Sequence, residues 1–243
     1  MFDKWRKYSY TAQKERRHLI LAFLFWIFSI FLAFSIVSSA LFFTIRMDGN
    51  SMEPGIKNGE RLFASPFPYG ARLFFLPTKL PAPDHPRRGD IVVIRRTNPE
   101  TGALNTLYDA LLRFFTGQSI GNKKSVASRF SVKRVIGIPG DELFMEEFIT
   151  RIRPEGDAYS LTEFELADGS YNIISPNIPK GWDSSLPMSG TMPLIHLASD
   201  EYFLVSDDRT GSSDSRTWGA VHLEDIIAKV SIRYWPLNRF GSP

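Results

Sequence analysis

The chain of 243 residues contains no cysteine. Thiol nucleophiles, thiolate-bound metals and iron–sulfur clusters are therefore excluded, and any exported part must be stable without disulfides. Histidine is scarce: only His18, His85, His196 and His222 are present. No Gly-x-Ser-x-Gly elbow occurs, and there is neither an internal repeat nor a low-complexity linker. The most informative absence is one of charge. From Leu19 to Ile45, 27 consecutive residues include no Asp, Glu, Lys or Arg, and no Pro or Gly. As a helix rising about 1.5 Å per residue, this run would span about 40 Å, enough for a tilted crossing of a hydrocarbon core of about 30 Å. The apolar region of a cleaved signal peptide normally has only about 7–15 residues, so the run reads as a retained anchor.

Charge divides the chain in two. Residues 1–18 carry Lys4, Arg6, Lys7, Lys14, Arg16 and Arg17 against Asp3 and Glu15, a net +4. The whole chain is +3, so everything beyond the tail sums to −1. The basic pI thus reflects a membrane-flanking tail, and nucleic acid is not an expected partner. Basic residues beside a membrane helix stay on the cytoplasmic side. The expected layout is a cytoplasmic tail (1–18), a single transmembrane helix (19–45) and an extracytoplasmic domain (46–243) on the outer face of the cytoplasmic (inner) membrane. About 200 residues suffice for a core without disulfides.

Beyond the anchor the chain reads as short strands separated by Pro and Gly turns, so the expected class is mainly β. Asp90–Arg95, Ser131–Ile138, Tyr202–Ser206 and Ile226–Tyr234 are strand candidates. Leu161–Leu166 and Ser170–Ile174 flank Ala167-Asp168-Gly169 and suggest a hairpin. Leu104, Leu107, Tyr108, Leu111, Leu112 and Phe115 recur near helical spacing and predict a short amphipathic helix. Leu73-Phe74-Phe75-Leu76 is an apolar loop. Both segments raise the alternatives of packing on the sheet and lying on the bilayer.

Three clusters carry potential chemistry. Ser51, in Gly49-Asn50-Ser51-Met52-Glu53-Pro54, lies six residues past the apolar run, between a permissive glycine and a rigid proline. A serine needs a base to become a nucleophile. His222 could serve in a Ser-His-Asp triad, but His196 and His222 border strands, where structural histidines are common. Lys133 is the stronger candidate. In Ser131-Val132-Lys133-Arg134-Val135-Ile136-Gly137-Ile138, alternation puts Lys133 with Val135 and Arg134 with Val132 and Ile136, so one cation must face a buried surface. A lysine becomes a base when desolvated, and moving an amine from about 10.4 to about 7 requires roughly 4–5 kcal/mol. The third cluster is the polar run Ser206 to Gly219, dense in hydroxyls and opposite charges.

These clusters resemble, in order, the motifs of the type I signal peptidases, also called leader peptidases. Ser51-Met52-x-Pro54 after an anchor resembles the nucleophile motif. Lys133-Arg134-Val135-Ile136-Gly137-Ile138-Pro139-Gly140-Asp141 resembles the lysine motif, and Asp207 to Gly219 the third motif. Phe67-Pro68-Tyr69-Gly70 and Arg88-Gly89-Asp90-Ile91-Val92-Val93 are also similar to family segments. The resemblance implies a signal-peptidase-like β-sheet catalytic domain with an inserted smaller β subdomain at 142–200. It implies a serine–lysine endopeptidase in which Ser51 attacks through an acyl-enzyme and Lys133 is the general base. Ser212 would orient the lysine amine, and Met52 would border the substrate pocket. Arg134 and Arg216 would pair with Asp207 and Asp214 to hold the active-site strands. The Ser51 N–H would serve the oxyanion, with Gly49 where some members place a donor serine.

Two further departures stand out. Ser206 and Asp208 replace Gly and Asn at the start of the third motif; a side chain at 206 threatens to crowd the lysine, and Asp208 would favour the ammonium if near it. The resemblance implies no metal and no cofactor. Implied partners are preproteins with signal peptides, the lipid bilayer and the protein-export machinery. The rival readings are an inactive, membrane-tethered homologue acting as a binding or scaffold domain, and a self-cleaving repressor. Against the second stand the membrane helix and the lack of a DNA-binding module.

Overall fold

A computed structural model describes residues 2–71, 79–95, 130–177, 190–211 and 213–243, with the side chains of 2–15, 35, 36 and 38–40 left aside. The apolar loop at 73–76 and the predicted helix at 104–115 lie outside the described residues. The chain begins with one helix, α1 (Phe2–Ala40). Its stretch Arg16–Phe34 is long and apolar enough to cross a membrane, and none of that stretch is buried inside the protein.

The helix stops short of the sequence expectation of Ile45. Phe43–Arg46 is instead a strand, β1, antiparallel to β2 (Arg61–Ser65), with Phe43 opposite Ala64 and Arg46 opposite Arg61. Phe43, Thr44 and Ile45 are aromatic or β-branched and suit a pleated surface, and β2 takes up their backbone groups. The Ser65 hydroxyl donates to the Leu41 carbonyl at 2.6 Å, fixing the exit from the helix.

The fold is mainly β. The other strands are β3 (Ile91–Arg95), β4 (Phe130–Gly137), β5 (Glu142–Glu146), β6 (Ile149–Arg153), β7 (Leu161–Thr162), β8 (Met192–His196), β9 (Glu201–Val205), β10 (Val221–His222) and β11 (Ile226–Trp235). A sheet of 7 strands runs in the order β1-β2-β11-β3-β4-β9-β10, and a sheet of 4 in the order β7-β6-β5-β8. The smaller sheet is built wholly from the stretch between β4 and β9.

The expected hairpin at 161–174 does not form. Only Leu161–Thr162 is strand; Glu163–Leu166 is a short helix, α2, whose start is capped by Thr162 and Glu165. The Thr162 N–H donates to Glu165 Oε2 at 2.7 Å, a capping box that offers the backbone a helical start in place of a ladder. Ile174 makes one isolated parallel bridge, to Asp208.

Strand β3 explains why the centre of the large sheet is dry. Ile91 and Val93 pack with Ile45, Leu62, Val132 and Val230. Val92 and Ile94 pack with Val135, Leu204 and Ile226. Both faces are therefore covered, and the continuous apolar run Ile91-Val92-Val93-Ile94 is what such a strand requires. Polar side chains at the centre of the neighbouring β4 are buried whichever way they point. Lys133 and Arg134 are 2% and 6% exposed.

Candidate active site

The register of β4 and β9 assembles the site. Arg134 lies opposite Val205 and Val135 opposite Leu204. One step further, β9 leaves the ladder and delivers Ser206, Asp207, Asp208 and Arg209 against Lys133 and its surroundings. Lys133 Nζ donates to Ser206 Oγ at 2.7 Å, and both residues are buried. Ser206 therefore does not crowd the amine; its side chain is short enough to become a hydrogen-bond partner.

Arg134 lies in a ready-made slot. Its Nε and Nη2 donate to the two oxygens of Asp207 at 2.8 and 2.7 Å, and Nη1 donates to the Gly89 carbonyl at 2.8 Å. The Tyr171 ring lies beneath the guanidinium, 4.1 Å from its carbon to the ring centroid. This bidentate pair is almost fully buried, so neither charge is left uncompensated.

Ser51 stands in the turn between β1 and β2, half-buried. Gly49 there has φ +95, a left-handed conformation that favours glycine, and the space around it is open. The Ser51 carbonyl accepts from the Asp208 N–H at 3.1 Å, so the serine turn is joined to the loop that contacts Lys133. Gly55 approaches the same group: a Cβ there would lie 3.4 Å from Asp207 Oδ2. Met52 is 0% exposed, packed with Ile45, Ile56 and Leu62. It supports the serine turn from the core and offers no surface to a substrate pocket.

The rest of the loop is tied in place by its own charges. Asp214 accepts from Arg216 Nε and Nη2, both at 2.8 Å, and from the Ser206 N–H at 3.0 Å. Burial pushes the Asp214 carboxyl up, but Arg216 and the bonds from Ser206 outweigh it and hold the carboxyl below its ordinary value. Asp208 Oδ1 takes the Thr210 N–H and hydroxyl at 2.9 and 2.5 Å, so its charge is engaged in its own turn. Ser212 lies outside the described residues.

Several residues that complete this region carry no role in the sequence reading. Arg209 is fully buried and donates through Nη2 to Glu163 Oε2 at 2.6 Å. Glu163 also accepts from the Tyr171 hydroxyl at 2.7 Å and the Thr150 N–H at 2.9 Å. Burial and this carboxylate push the Tyr171 phenol far up, leaving it a neutral donor. On the other side, Arg233 Nη1 and Arg239 Nη2 both donate to the Gly55 carbonyl at 2.9 Å, with Glu60 between the two arginines. The C-terminal segment thereby clamps the serine turn. Only the Thr162-x-x-Glu165 pattern gave a local sequence signal for any of this, by announcing the helix that begins with Glu163.

Comparison with known proteins gives this arrangement its context. A family model described as "Signal peptidase, peptidase S26" matches residues 20–235, and the chain belongs to that family of peptidases. It is 26% identical over 192 residues to a probable signal peptidase I-2 of Synechocystis, covering 79% of this chain and 62% of the relative. It is 24% identical over 246 residues to a signal peptidase I of Haemophilus influenzae, covering 89% of this chain and 70% of the relative. A signal peptidase IB of Staphylococcus aureus is 30% identical over 111 residues, 45% of this chain and 55% of the relative. The chain thus spans a little over half to 70% of the length of these relatives.

Proposed function

We propose that this chain is a membrane-anchored endopeptidase that removes signal peptides from exported preproteins, with Ser51 as nucleophile and Lys133 as general base. One observation carries the reading: a single short loop touches both residues. Ser206 contacts the Lys133 amine at 2.7 Å, and two residues later the Asp208 N–H holds the Ser51 carbonyl at 3.1 Å. Lys133 is buried in a strand with apolar neighbours, and burial disfavours the charged form of an amine and suits it to accept a proton.

In the reaction, Lys133 takes the Ser51 hydroxyl proton as Oγ attacks the scissile carbonyl. The Ser51 N–H stabilises the oxyanion, and Gly49 adds no side-chain donor. Lys133 then gives the proton to the leaving amine, freeing the mature protein and leaving the signal segment as an ester on Ser51. The amine next deprotonates a water that hydrolyses the ester and restores the serine. Arg134–Asp207 and Arg216–Asp214 hold the strands and loop, and the resemblance to the signal peptidases assigns Ser212 to orienting the lysine amine.

Residues 1–18 form the cytoplasmic tail, the helix from Leu19 to Ala40 the crossing, and the chain from β1 onward the extracytoplasmic domain, with 142–200 as an inserted subdomain. The basic tail favours this orientation. A substrate whose apolar segment already occupies the bilayer then meets the site at high local concentration, delivered by the export machinery. The test uses the full chain in detergent with a model preprotein, reading the new N-terminus by mass spectrometry. Wild type cuts after a small residue, whereas Ser51→Ala and Lys133→Ala lower the rate about 10²–10⁴-fold with unchanged thermal unfolding. A fully active Lys133→Ala variant would falsify the dyad.

A further inference from the structure

The antiparallel register that sets Arg134 opposite Val205 sets residue 206 opposite Lys133 when it is extended by one step. Side chains at those two positions are therefore cross-strand neighbours. The residue found there is a serine, 2% exposed, with its Oγ 2.7 Å from the amine. Its backbone N–H donates to Asp214 Oδ2 at 3.0 Å and ties the residue to that carboxylate. Arg216 fixes Asp214 from the far side at 2.8 Å.

We propose that Ser206 is a positioning residue for Lys133: its backbone is held by Asp214, its hydroxyl accepts an amine N–H, and it so aims the amine lone pair at the Ser51 hydroxyl. This rests on the reading of Lys133 as the base. The chemistry of the groups explains why a hydroxyl suits the place. A neutral amine has two N–H bonds and one lone pair, and rotates freely about Cε–Nζ until one N–H is engaged. A hydroxyl has two lone pairs and no charge, so it accepts from the amine while the backbone N–H of the same residue serves the carboxylate. A carboxylate directly against the amine would favour the ammonium and remove the base. Ser206 transmits the fixed position of Asp214 while keeping that charge one group away. A glycine at this position, as the third motif of the resembling family usually has, leaves the contact unmade.

The experiment compares full-length wild type, Ser206→Ala and Ser206→Gly in detergent, with Lys133→Ala as control. It measures kcat and KM on a preprotein, and thermal unfolding. Both Ser206 substitutions retain the backbone N–H to Asp214, so they isolate the hydroxyl. The expected result is a kcat lower by about ten- to a hundredfold, the effect of one hydrogen bond to a group that becomes charged, with KM and unfolding midpoint unchanged. A kcat within twofold of wild type in both variants overturns the inference and leaves the lysine to be oriented without Ser206. A fall in kcat that tracks a lowered midpoint in both variants assigns Ser206 to packing and also overturns it. Full activity of Lys133→Ala would sink the dyad reading itself, a failure separable from either.

Discussion

Glu163 provides a direct test of how helix α2 supports the loop that follows β9. Its carboxylate accepts three hydrogen bonds, from Arg209, Tyr171 and Thr150, and the side chains of Glu163 and Arg209 are both 0% exposed. Among the described residues, Arg209 Nε and Nη1 meet no acceptor, so Glu163 is the counter-charge on which the buried guanidinium depends. Glu163→Ala leaves that cation stranded, which costs about 3–5 kcal/mol, and it orphans the Thr150 N–H and Tyr171 hydroxyl as well. A typical domain has a total stability of about 5–15 kcal/mol, so the loss is a large share of it. At about 2–4 °C per kcal/mol for a chain of this size, the unfolding midpoint of the full chain in detergent should fall by about 6–20 °C. The double variant Glu163→Ala/Arg209→Met removes the stranded charge and should recover more than half of the fall. A single variant as stable as wild type, or a double variant less stable than the single, would refute the assignment.

Two other perturbations test separate parts of the structure. Asp214 has a carboxyl pKa below its ordinary value, because Arg216 and the bonds from Ser206 outweigh burial. Its contribution to stability is then complete above the unfolded carboxylate value of about 4, and is lost as pH falls through the lower folded value. Asp214→Asn should flatten the acid side of a plot of unfolding midpoint against pH; an identical slope in the variant would count against the shift. Gly70 has φ +84, and a Cβ there would lie 2.6 Å from the Leu80 carbonyl oxygen. Gly70→Ala should cost about 1–3 kcal/mol, whereas Gly169→Ala, where nothing lies within 4 Å, should cost little; equal midpoints for the two would reject the steric argument.

The legible parts of the chain were those whose signal is local. An uncharged run of 27 residues announces a helix, and a cation pair inside an apolar strand announces buried charge before any coordinates exist. The less legible parts depend on partners. Phe43 to Ile45 are as apolar as the helix before them, and hydrophobicity alone does not distinguish helix from strand in so short a piece; β2 decides it. Alternation in Leu161–Leu166 imitates a strand, and the Thr162-x-x-Glu165 cap outweighs it. Pairing of Glu163 with Arg209 joins residues 46 positions apart, and no periodicity encodes that. The contact of Ser206 with Lys133 depends on register: a side chain that could block the amine bonds to it because the β4–β9 register, carried one residue past the end of β9, brings the two across from each other.

The four consecutive residues from Ser206 to Arg209 tie three parts of the fold together: strand β4, the serine turn and helix α2. Ser206 takes Lys133, Asp207 takes Arg134, the Asp208 N–H takes the Ser51 carbonyl, and Arg209 takes Glu163 of α2. A base that works by losing its charge needs a dry site, and a dry site made of protein must bury whatever polar groups hold its walls. Here those groups are Arg134–Asp207, Arg216–Asp214 and Arg209–Glu163, three pairs each neutral in sum. Neutral pairs brace the loop with strong directional bonds, yet add little net field to push the nearby amine toward either protonation state. On the proposed reading of Lys133 as the base, burial disfavours its ammonium form, and the three pairs brace the surrounding loop and strand as units of no net charge.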